Sequence, residues 1–151
     1  MITIFKATTR HLNDLTLLFD AYRIFYKKES DLDGAKEFLK QRLTKKQSLV
    51  FMAYEGPKAV GFTQLYPNSS VSMAPLWILN DLFVAPKHRN KKIGIQLLKF
   101  AQVFAIETNT KGISLETENT NAIGNQLYPK VDFKKDKEHN FYFWNNPNFS
   151  S

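Results

Sequence analysis

Residues 77–117 combine an apolar strand, a basic loop, a helix and a second strand in direct succession. The segment WILNDLFV (77–84) is the most apolar strand candidate, and a helix of apolar period at 93–108 leads to the strand ISLET at 113–117. Strands that flank one helix in this way form a βαβ unit, so they should be parallel, with a right-handed crossover. We therefore expect a partly parallel sheet with 77–84 as a central strand.

Further elements are predicted on both sides of this unit. A helical repeat of apolar residues runs from Leu12 to Tyr26, with Thr8 or Thr9 as its N-cap. The other predicted elements are a strand at 2–6, a helix from Asp31 to about Thr44, a β-hairpin of 49–54 with 59–66, a loop at 67–75, a short helix at 120–129 and a closing hairpin of 131–135 with 141–145. This order of elements indicates a mixed α/β (α+β) chain.

Chain length and the absence of cysteine limit the classes of protein that fit. At 151 residues and 43% hydrophobic content, the sequence predicts a single domain over 1–151 with its own core. The absence of cysteine excludes disulfides, a thiolate nucleophile and a cysteine-based zinc site. The three histidines lack metal-ligand spacing. Neither a signal-peptide pattern nor an apolar run of membrane-spanning length is present, so we expect a cytoplasmic location and no membrane.

The net charge of +7 favours an anionic partner. Nucleic acid, an acidic membrane surface and a polyphosphate cofactor all fit this charge, and charge does not choose among them. The lysine cluster of Lys134, Lys135 and Lys137 is typical of a solvated surface.

The loop before the helix at 93–108 concentrates this positive charge. Its sequence, VAPKHRNKKIGIQLL (84–98), places Lys87, Arg89, Lys91 and Lys92 next to the start of the helix. The backbone N–H groups and the dipole of a helix N-terminus also favour an anion there. The loop therefore predicts a phosphate or pyrophosphate site, although a basic loop without a ligand would have the same composition.

Two motifs in this half of the chain resemble those of a known family. The first resembles V-x-P-x-x-R-G-x-G-x-G, the acetyl-CoA motif of the GCN5-related N-acetyltransferase (GNAT) superfamily, through Val84, Pro86, Arg89 and Gly94, with Asn90 and Lys92 in place of two glycines. The second, N-x-x-A-x-x-L-Y, is similar to residues 121–128, with Gly124 in place of alanine, and Lys130–Phe133 resembles the K-x-G-F that follows it. The order and spacing of the two motifs are more specific than either motif alone.

The resemblance implies a fold, an activity and a cosubstrate. The fold is a single GNAT-like domain with a mixed central sheet of about six to seven strands and about four helices. The activity is transfer of an acetyl group from acetyl-CoA to a primary amine, without a metal. The acceptor implied is a small molecule such as a polyamine or an amino acid, or else a protein.

The resemblance also assigns cofactor-binding residues. They are the strand end Leu82, Phe83 and Val84, whose backbone N–H would hold the oxyanion, the loop residues Arg89, Asn90, Lys91, Lys92, Ile93 and Gly94, then Asn121, and finally Tyr128. Tyr128 matches the general acid that protonates the departing thiolate, against the alternative of a tyrosine packed in the core. Asn121 matches a contact to the cofactor arm, against the alternative of simple helix capping.

A proton acceptor for the amine is less well defined by the sequence. Asp81 and Asn80 stand where related polyamine acetyltransferases carry acidic residues, and a carboxylate on an apolar strand would gain basicity. A structural hydrogen-bonding role for Asp81 is equally compatible, and Glu116 or a water relay are the other options. We expect the end of the first helix to wall the acceptor pocket with Tyr22, Phe25, Tyr26 and Glu29.

The function expected is therefore that of an N-acetyltransferase acting on a primary amine. The alternatives are a CoA-binding module without catalysis and a nucleic-acid-binding regulatory module. Nucleic acid is disfavoured because the basic residues concentrate at one helix start and the aromatic residues alternate like a core. Whether the chain forms a homodimer is left open.

Overall fold

A computed structural model describes residues 1–46, 48–70 and 73–150, and these residues form one five-stranded sheet with helices on both faces. The strands are β1 Ile2–Lys6, β2 Leu49–Glu55, β3 Lys58–Ser70, β4 Met73–Val84 and β5 Ile113–Ser114. The helices are α1 Leu12–Phe25, α2 Leu32–Thr44, α3 Ile93–Glu107 and α4 Ala122–Lys130, with short 3-10 turns at Thr9–His11 and Pro86–His88. The strand order is β1-β2-β3-β4-β5, antiparallel except for the parallel β4–β5 pair. The mixed sheet and the parallel pair confirm the predicted α/β (α+β) fold.

The alternation of side chains along β2 explains why both faces of the sheet are covered. Phe51 is fully buried and meets Phe100 and Phe104 of α3 edge-on, at ring-centre distances of 4.9 and 5.4 Å. Val50 and Met52 point to the opposite face and join a core formed with α1 and α2. The sheet is therefore a shared wall between an α3 core and an α1–α2 core.

Local capping fixes the ends of the helices close to their predicted positions. The Asp31 side chain accepts a hydrogen bond from the Gly34 N–H at 2.9 Å, which starts α2 one residue later than expected. Thr8, a predicted N-cap, caps the 3-10 turn that leads into α1, while α1 itself begins after His11 without a side-chain cap.

Among the described residues, no helix is long and apolar enough to cross a membrane.

Two predictions about strands are wrong within the described residues. The expected loop at 67–75 is strand up to Ser70 and again from Met73, because the ladder continues with Pro67 opposite Trp77 and Asn68 opposite Leu76; residues 71 and 72 lie outside the described part. The strand expected at 113–117 is paired over only two residues. Five strands therefore replace the expected six to seven.

The predicted closing hairpin of 131–135 with 141–145 is also wrong for this structure. Asp136 does form a local turn, accepting from the Glu138 N–H at 2.9 Å and contacting the His139 ring at 2.8 Å. The aromatic run Phe141–Trp144 that follows is 71–87% exposed and forms no strand. Four consecutive aromatic residues lack the alternation that would assign one face to a core, so β propensity alone does not fix a register.

Candidate active site

The end of β4 has an open edge, produced by its neighbours. β5 pairs only with Trp77 and Ile78, so β3 is the sole paired neighbour of 79–84 in the described chain. Opposite β3, Leu65 faces Leu79 and Gln64 faces Asp81, which leaves Asn80 in a bulge. A bulge bends its strand and increases its twist. The gap between β4 and β5 therefore begins after Ile78, next to this bulge.

Backbone groups of β4 point into this gap. The Ala85 N–H donates to the Val60 carbonyl of β3 at 2.8 Å. The Phe83 carbonyl also faces β3, since it lies 2.9 Å from the position of a Cβ built on Gly61. Because backbone groups alternate in direction along a strand, the N–H groups of Leu82 and Val84 face the open edge. This edge carries hydrogen-bond donors where the sequence predicts the oxyanion contact.

The start of α3 presents further unpaired donors. Its first backbone bond runs from the Gln96 N–H to the Lys92 carbonyl at 3.1 Å, and no described residue accepts from the N–H groups of 93–95. The first turn of α3 contains no acidic residue. Unpaired N–H groups and the helix dipole both favour an anion at this position. The geometry fits the pyrophosphate of the predicted cosubstrate.

The loop reaches this geometry through two left-handed residues. Asn90 and Lys92 have φ angles of 64° and 62°, and they are the two positions at which the resembling motif carries glycine. Glycine adopts positive φ without a steric cost, whereas a side chain is strained there, asparagine least of all. The loop thus retains a glycine-type backbone without its glycines.

His88 and Lys91 of the loop share one partner, and Arg89 has another. Lys91 Nζ lies 3.2 Å from Glu55 Oε1, and His88 Nδ1 lies 2.7 Å from Glu55 Oε2. A hydrogen bond from His88 lowers the pKa of the Glu55 carboxyl, and a hydrogen bond from Lys91 lowers it by a smaller amount. The Arg89 Nε donates to the Val84 carbonyl at 2.8 Å, and the guanidinium covers the Phe25 ring at 4.7 Å. Arg89 therefore ties the loop to β4, and Lys91 ties it to the end of β2.

Tyr128 is half-buried on α4, and no described residue hydrogen-bonds its hydroxyl. Its ring meets Phe133 edge-on at 5.8 Å. Burial raises the pKa of Tyr128, and the nearby Tyr26 raises it further. The phenol is therefore protonated at neutral pH and can donate a hydrogen bond. The helix continues through Pro129 to Lys130, one residue beyond the predicted end at 129.

Asn121 and Gly124 form the start of α4. The Asn121 Oδ1 accepts from the Gly124 N–H at 3.1 Å, and its Nδ2 donates to Thr117 Oγ1 at 2.8 Å. A Cβ built on Gly124 would lie 2.6 Å from the Asn121 Nδ2, so the glycine lets the asparagine fold back onto the helix. In this conformation the side chain of Asn121 acts as a helix cap.

Asp81 is 7% exposed and accepts several hydrogen bonds. The Tyr22 hydroxyl donates to Oδ1 at 2.8 Å, the Gln64 Nε2 donates to Oδ2 at 2.7 Å, and the Asn80 Nδ2 approaches Oδ2 at 3.3 Å. Burial and the neighbouring Asp81 raise the pKa of Tyr22 far above its ordinary value. Oδ1 therefore has one donor and Oδ2 has two. The other two residues predicted near the proton-acceptor position, Asn80 and Glu116, are both exposed to solvent.

A cavity of about 490 Å³, widely open to solvent, lies between α1 and α2, and Tyr22 separates it from this carboxylate. It is lined by Phe19, Tyr22, Arg23, Tyr26, Lys28 and Phe38. Of the predicted pocket residues, Tyr22 and Tyr26 line it, while Phe25 contacts Arg89 and Glu29 is not part of the wall. The sequence reasoning missed Arg23 and Phe38. The helical spacing of Arg23 placed it outside the apolar face, and Phe38 reaches the cavity only because α2 packs on α1.

Among the described residues, no group of histidine, aspartate and glutamate side chains could hold a metal.

Comparison with known proteins identifies relatives of the whole chain. The model of the acetyltransferase (GNAT) family matches residues 15–133. "Uncharacterized N-acetyltransferase YhfO" of Bacillus subtilis (strain 168) is 41% identical over 94% of this chain and 96% of its own length. The crystal structure of a probable acetyltransferase is 34% identical, with a TM-score of 0.88 over 95% of this chain and 97% of that one. Aminoglycoside N-acetyltransferase AAC(6')-Iy, solved in complex with CoA, shares the fold at 18% identity, with a TM-score of 0.78 over 95% of each chain.

Proposed function

Because the chain belongs to the acetyltransferase (GNAT) family, we propose that it transfers an acetyl group from acetyl-CoA to the primary amine of a small molecule. The chain is an acetyl-CoA-dependent acyltransferase, so the proposal concerns its acceptor and the residues that act. The observation that carries it is the combination of unpaired N–H groups at the start of α3 with the open edge of β4. The start of α3 suits a pyrophosphate, and the open edge of β4 suits a polarised carbonyl oxygen.

On the cofactor side, backbone groups do most of the binding. The N–H groups of Ile93 and Gly94, together with the turn at 90–92, would hold the pyrophosphate, and Arg89 keeps the loop against β4. The N–H groups of Leu82 and Val84 would bind the extended arm and the oxygen of the acetyl carbonyl. Lys91, held by Glu55, contributes long-range charge, and the Asn121 cap sets the start of α4.

Two proton transfers accompany the reaction. The amine attacks the acetyl carbon, a C–N bond forms, the C–S bond breaks, and the amine loses a proton while the thiolate gains one. Tyr128 would supply the proton to the thiolate, which its neutral and unpaired hydroxyl permits. Asp81 would bind the incoming ammonium and receive its proton directly or through water, with Glu116 as the other carboxylate available.

The test is an assay of thiol release with purified protein. Acetyl-CoA is incubated with a panel of primary amines that includes amino acids, spermidine, an aminoglycoside and a lysine peptide, and free CoA is measured with a thiol reagent. Turnover that depends on a small amine is the expected result. Turnover only with the peptide would reject the small-molecule acceptor. A stabilising effect of acetyl-CoA without turnover on any amine would reject the proposed transfer.

A further inference from the structure

The cavity between α1 and α2 has a charge distribution that restricts the acceptor. Resting on the proposed function, we infer that the acceptor carries an anionic group as well as the reacting amine, on an apolar or aromatic body, as an apolar amino acid with a free carboxylate does. The cavity is lined by aromatic rings and cations, while the carboxylate of Asp81 lies behind one wall.

The aromatic wall is continuous and preformed. Phe19 stacks on Phe38 of α2 at 5.7 Å, and Tyr22 meets Tyr26 edge-on at 5.0 Å. Tyr22 is also held by Phe62 and Phe83 of the sheet, at 5.7 and 5.6 Å. Rings fixed in this way offer an apolar surface without losing side-chain freedom on binding. The surface suits an apolar or aromatic body better than a polyhydroxylated one.

The cations of the cavity are unpaired within the described chain. Arg23 and Lys28 line it, and neither meets a carboxylate there. The guanidinium of Arg42 adds a third cation at one margin, 4.8 Å above the Phe38 ring. Arg23 is half-buried, so its charge is less well hydrated than that of an ordinary surface arginine. A carboxylate or phosphate on the ligand would form charge-assisted hydrogen bonds with it.

The Tyr22 wall of the cavity adjoins the buried carboxylate of Asp81. Tyr22 lines the cavity and donates to Asp81, which places the buried carboxylate directly behind this wall. Tyr26 lines the cavity too, and it is near enough to Tyr128 to raise the pKa of that phenol, a smaller effect than burial. An acceptor with its anionic group on Arg23 would therefore direct its ammonium toward Tyr22 and Asp81.

This arrangement disfavours polycations. A polyamine or an aminoglycoside would place additional ammonium groups against Arg23, Lys28 and Arg42, and like charges in a partly desolvated site repel. The aminoglycoside acetyltransferases that share the fold are less than 25% identical to this chain, so their acceptors do not transfer to it. The acceptor class follows from the side chains of this cavity.

The experiment compares acceptors that differ only in the anionic group. L-phenylalanine is paired with phenethylamine, L-leucine with 3-methylbutylamine, and spermidine serves as the polycation; kcat/KM is measured for each at saturating acetyl-CoA. We expect each amino acid to exceed its decarboxylated partner by about tenfold or more, with spermidine lowest. In Arg23→Gln that ratio should fall toward one. The two amines of a pair differ in basicity, but this difference affects the ratio equally in Arg23→Gln and in the unchanged protein. It therefore cancels when the two ratios are compared.

Arg10→Gln is the matched control, since Arg10 is an exposed arginine on the Thr9–His11 turn and does not line the cavity. Its ratio should equal that of the unchanged protein. Equal or higher kcat/KM for the decarboxylated amines, or a preference for spermidine, would overturn the inference and leave acetyl transfer to small amines standing. Absence of turnover with every amine would instead reject the proposed function. A ratio that is unchanged in Arg23→Gln would reject this arginine as the anion contact.

Discussion

The two sides of the β4 strand end are built by different means. On the cofactor side, the donors are backbone N–H groups at 93–95 and on Leu82 and Val84, and the loop owes its shape to left-handed residues. On the acceptor side, the wall consists of side chains from α1 and α2, and the carboxylate of Asp81 is held by the Tyr22 and Gln64 side chains.

This difference determines what substitutions should do. A backbone contact survives most side-chain replacements, so only charge reversal or a change of backbone preference should alter the cofactor side. A side-chain contact is lost with its residue, so single replacements on the acceptor side should alter catalysis or selectivity. The four predictions below test this contrast, beginning with the largest effect.

Tyr128→Phe should have the largest effect, because Tyr128 is the side chain proposed to act on the departing thiolate. The change removes a hydroxyl that bonds no described residue and keeps the ring on Phe133. Protonation of a leaving group matters only as the C–S bond breaks, so kcat should fall by roughly 10²- to 10³-fold while KM for acetyl-CoA changes little. Steady-state kinetics measures kcat and KM, and a melting curve measures the stability of the variant. Normal turnover together with a lower melting temperature would make Tyr128 a structural residue.

Asp81→Asn should lower kcat by roughly 10²-fold, most strongly near neutral pH, if this carboxylate accepts the proton of the amine. It should also destabilise the fold by about 1–3 kcal/mol, because the new amide oxygen can accept from Gln64 and Asn80 only if the NH2 group faces the Tyr22 hydroxyl, which then loses its acceptor. Tyr22→Phe is the comparison, since it removes one donor to Asp81 and keeps the carboxylate. Its kcat should fall less. An unchanged pH–rate profile in Asp81→Asn would move the proton to Glu116 or to water.

The same contrast explains what could be predicted from the sequence. α1, α2, the β2–β3 hairpin and the β4–α3 unit follow from hydrophobic periods within single segments, and the structure confirms them. The closing hairpin required a register between distant segments, which an unbroken run of aromatic residues does not define. At 67–70, turn-forming residues indicated a loop, but pairing with β4 outweighed their local preference.

The candidate site divides in the same way. The backbone conformation of the loop at 89–94 was predictable because it leaves a local motif, and Asn90 and Lys92 take positive φ where the motif has glycine. The acceptor cavity was only partly predictable. Phe38 meets Phe19 through the contact of two helices, and Asp81 meets Tyr22 across 59 positions of sequence. Neither contact leaves a pattern in any one segment.

Arg89→Glu should abolish the stabilisation of the protein by acetyl-CoA, because it places a negative charge beside the unpaired start of α3 and removes the bond to Val84. At about 100 times its Kd, the ligand should raise the stability of the unchanged protein by about 2.7 kcal/mol. Lys91→Ala is the control: its side chain is paired with Glu55, so most of the stabilisation should remain. Equal loss in both variants would indicate that Lys91 contributes to binding as much as Arg89 does, despite its pairing with Glu55. Thermal melting with and without acetyl-CoA measures the difference.

Lys92→Gly should have the smallest effect and the opposite sign. Lys92 has a φ of 62° at the N-cap of α3, with no side-chain capping bond, and a left-handed conformation costs a residue with a side chain about 1–2 kcal/mol. Glycine removes that strain but gives back about 0.5–1 kcal/mol through the greater freedom of the unfolded chain. The net gain should be about 0.5–1 kcal/mol, or roughly 1–4 °C in Tm for a chain of this size. Asn90→Gly, at a φ of 64°, should change Tm less, because asparagine tolerates this conformation. A lower Tm in Lys92→Gly would mean that the lysine side chain stabilises the loop by more than its backbone strain costs, and the cofactor side would then not be built by the backbone alone.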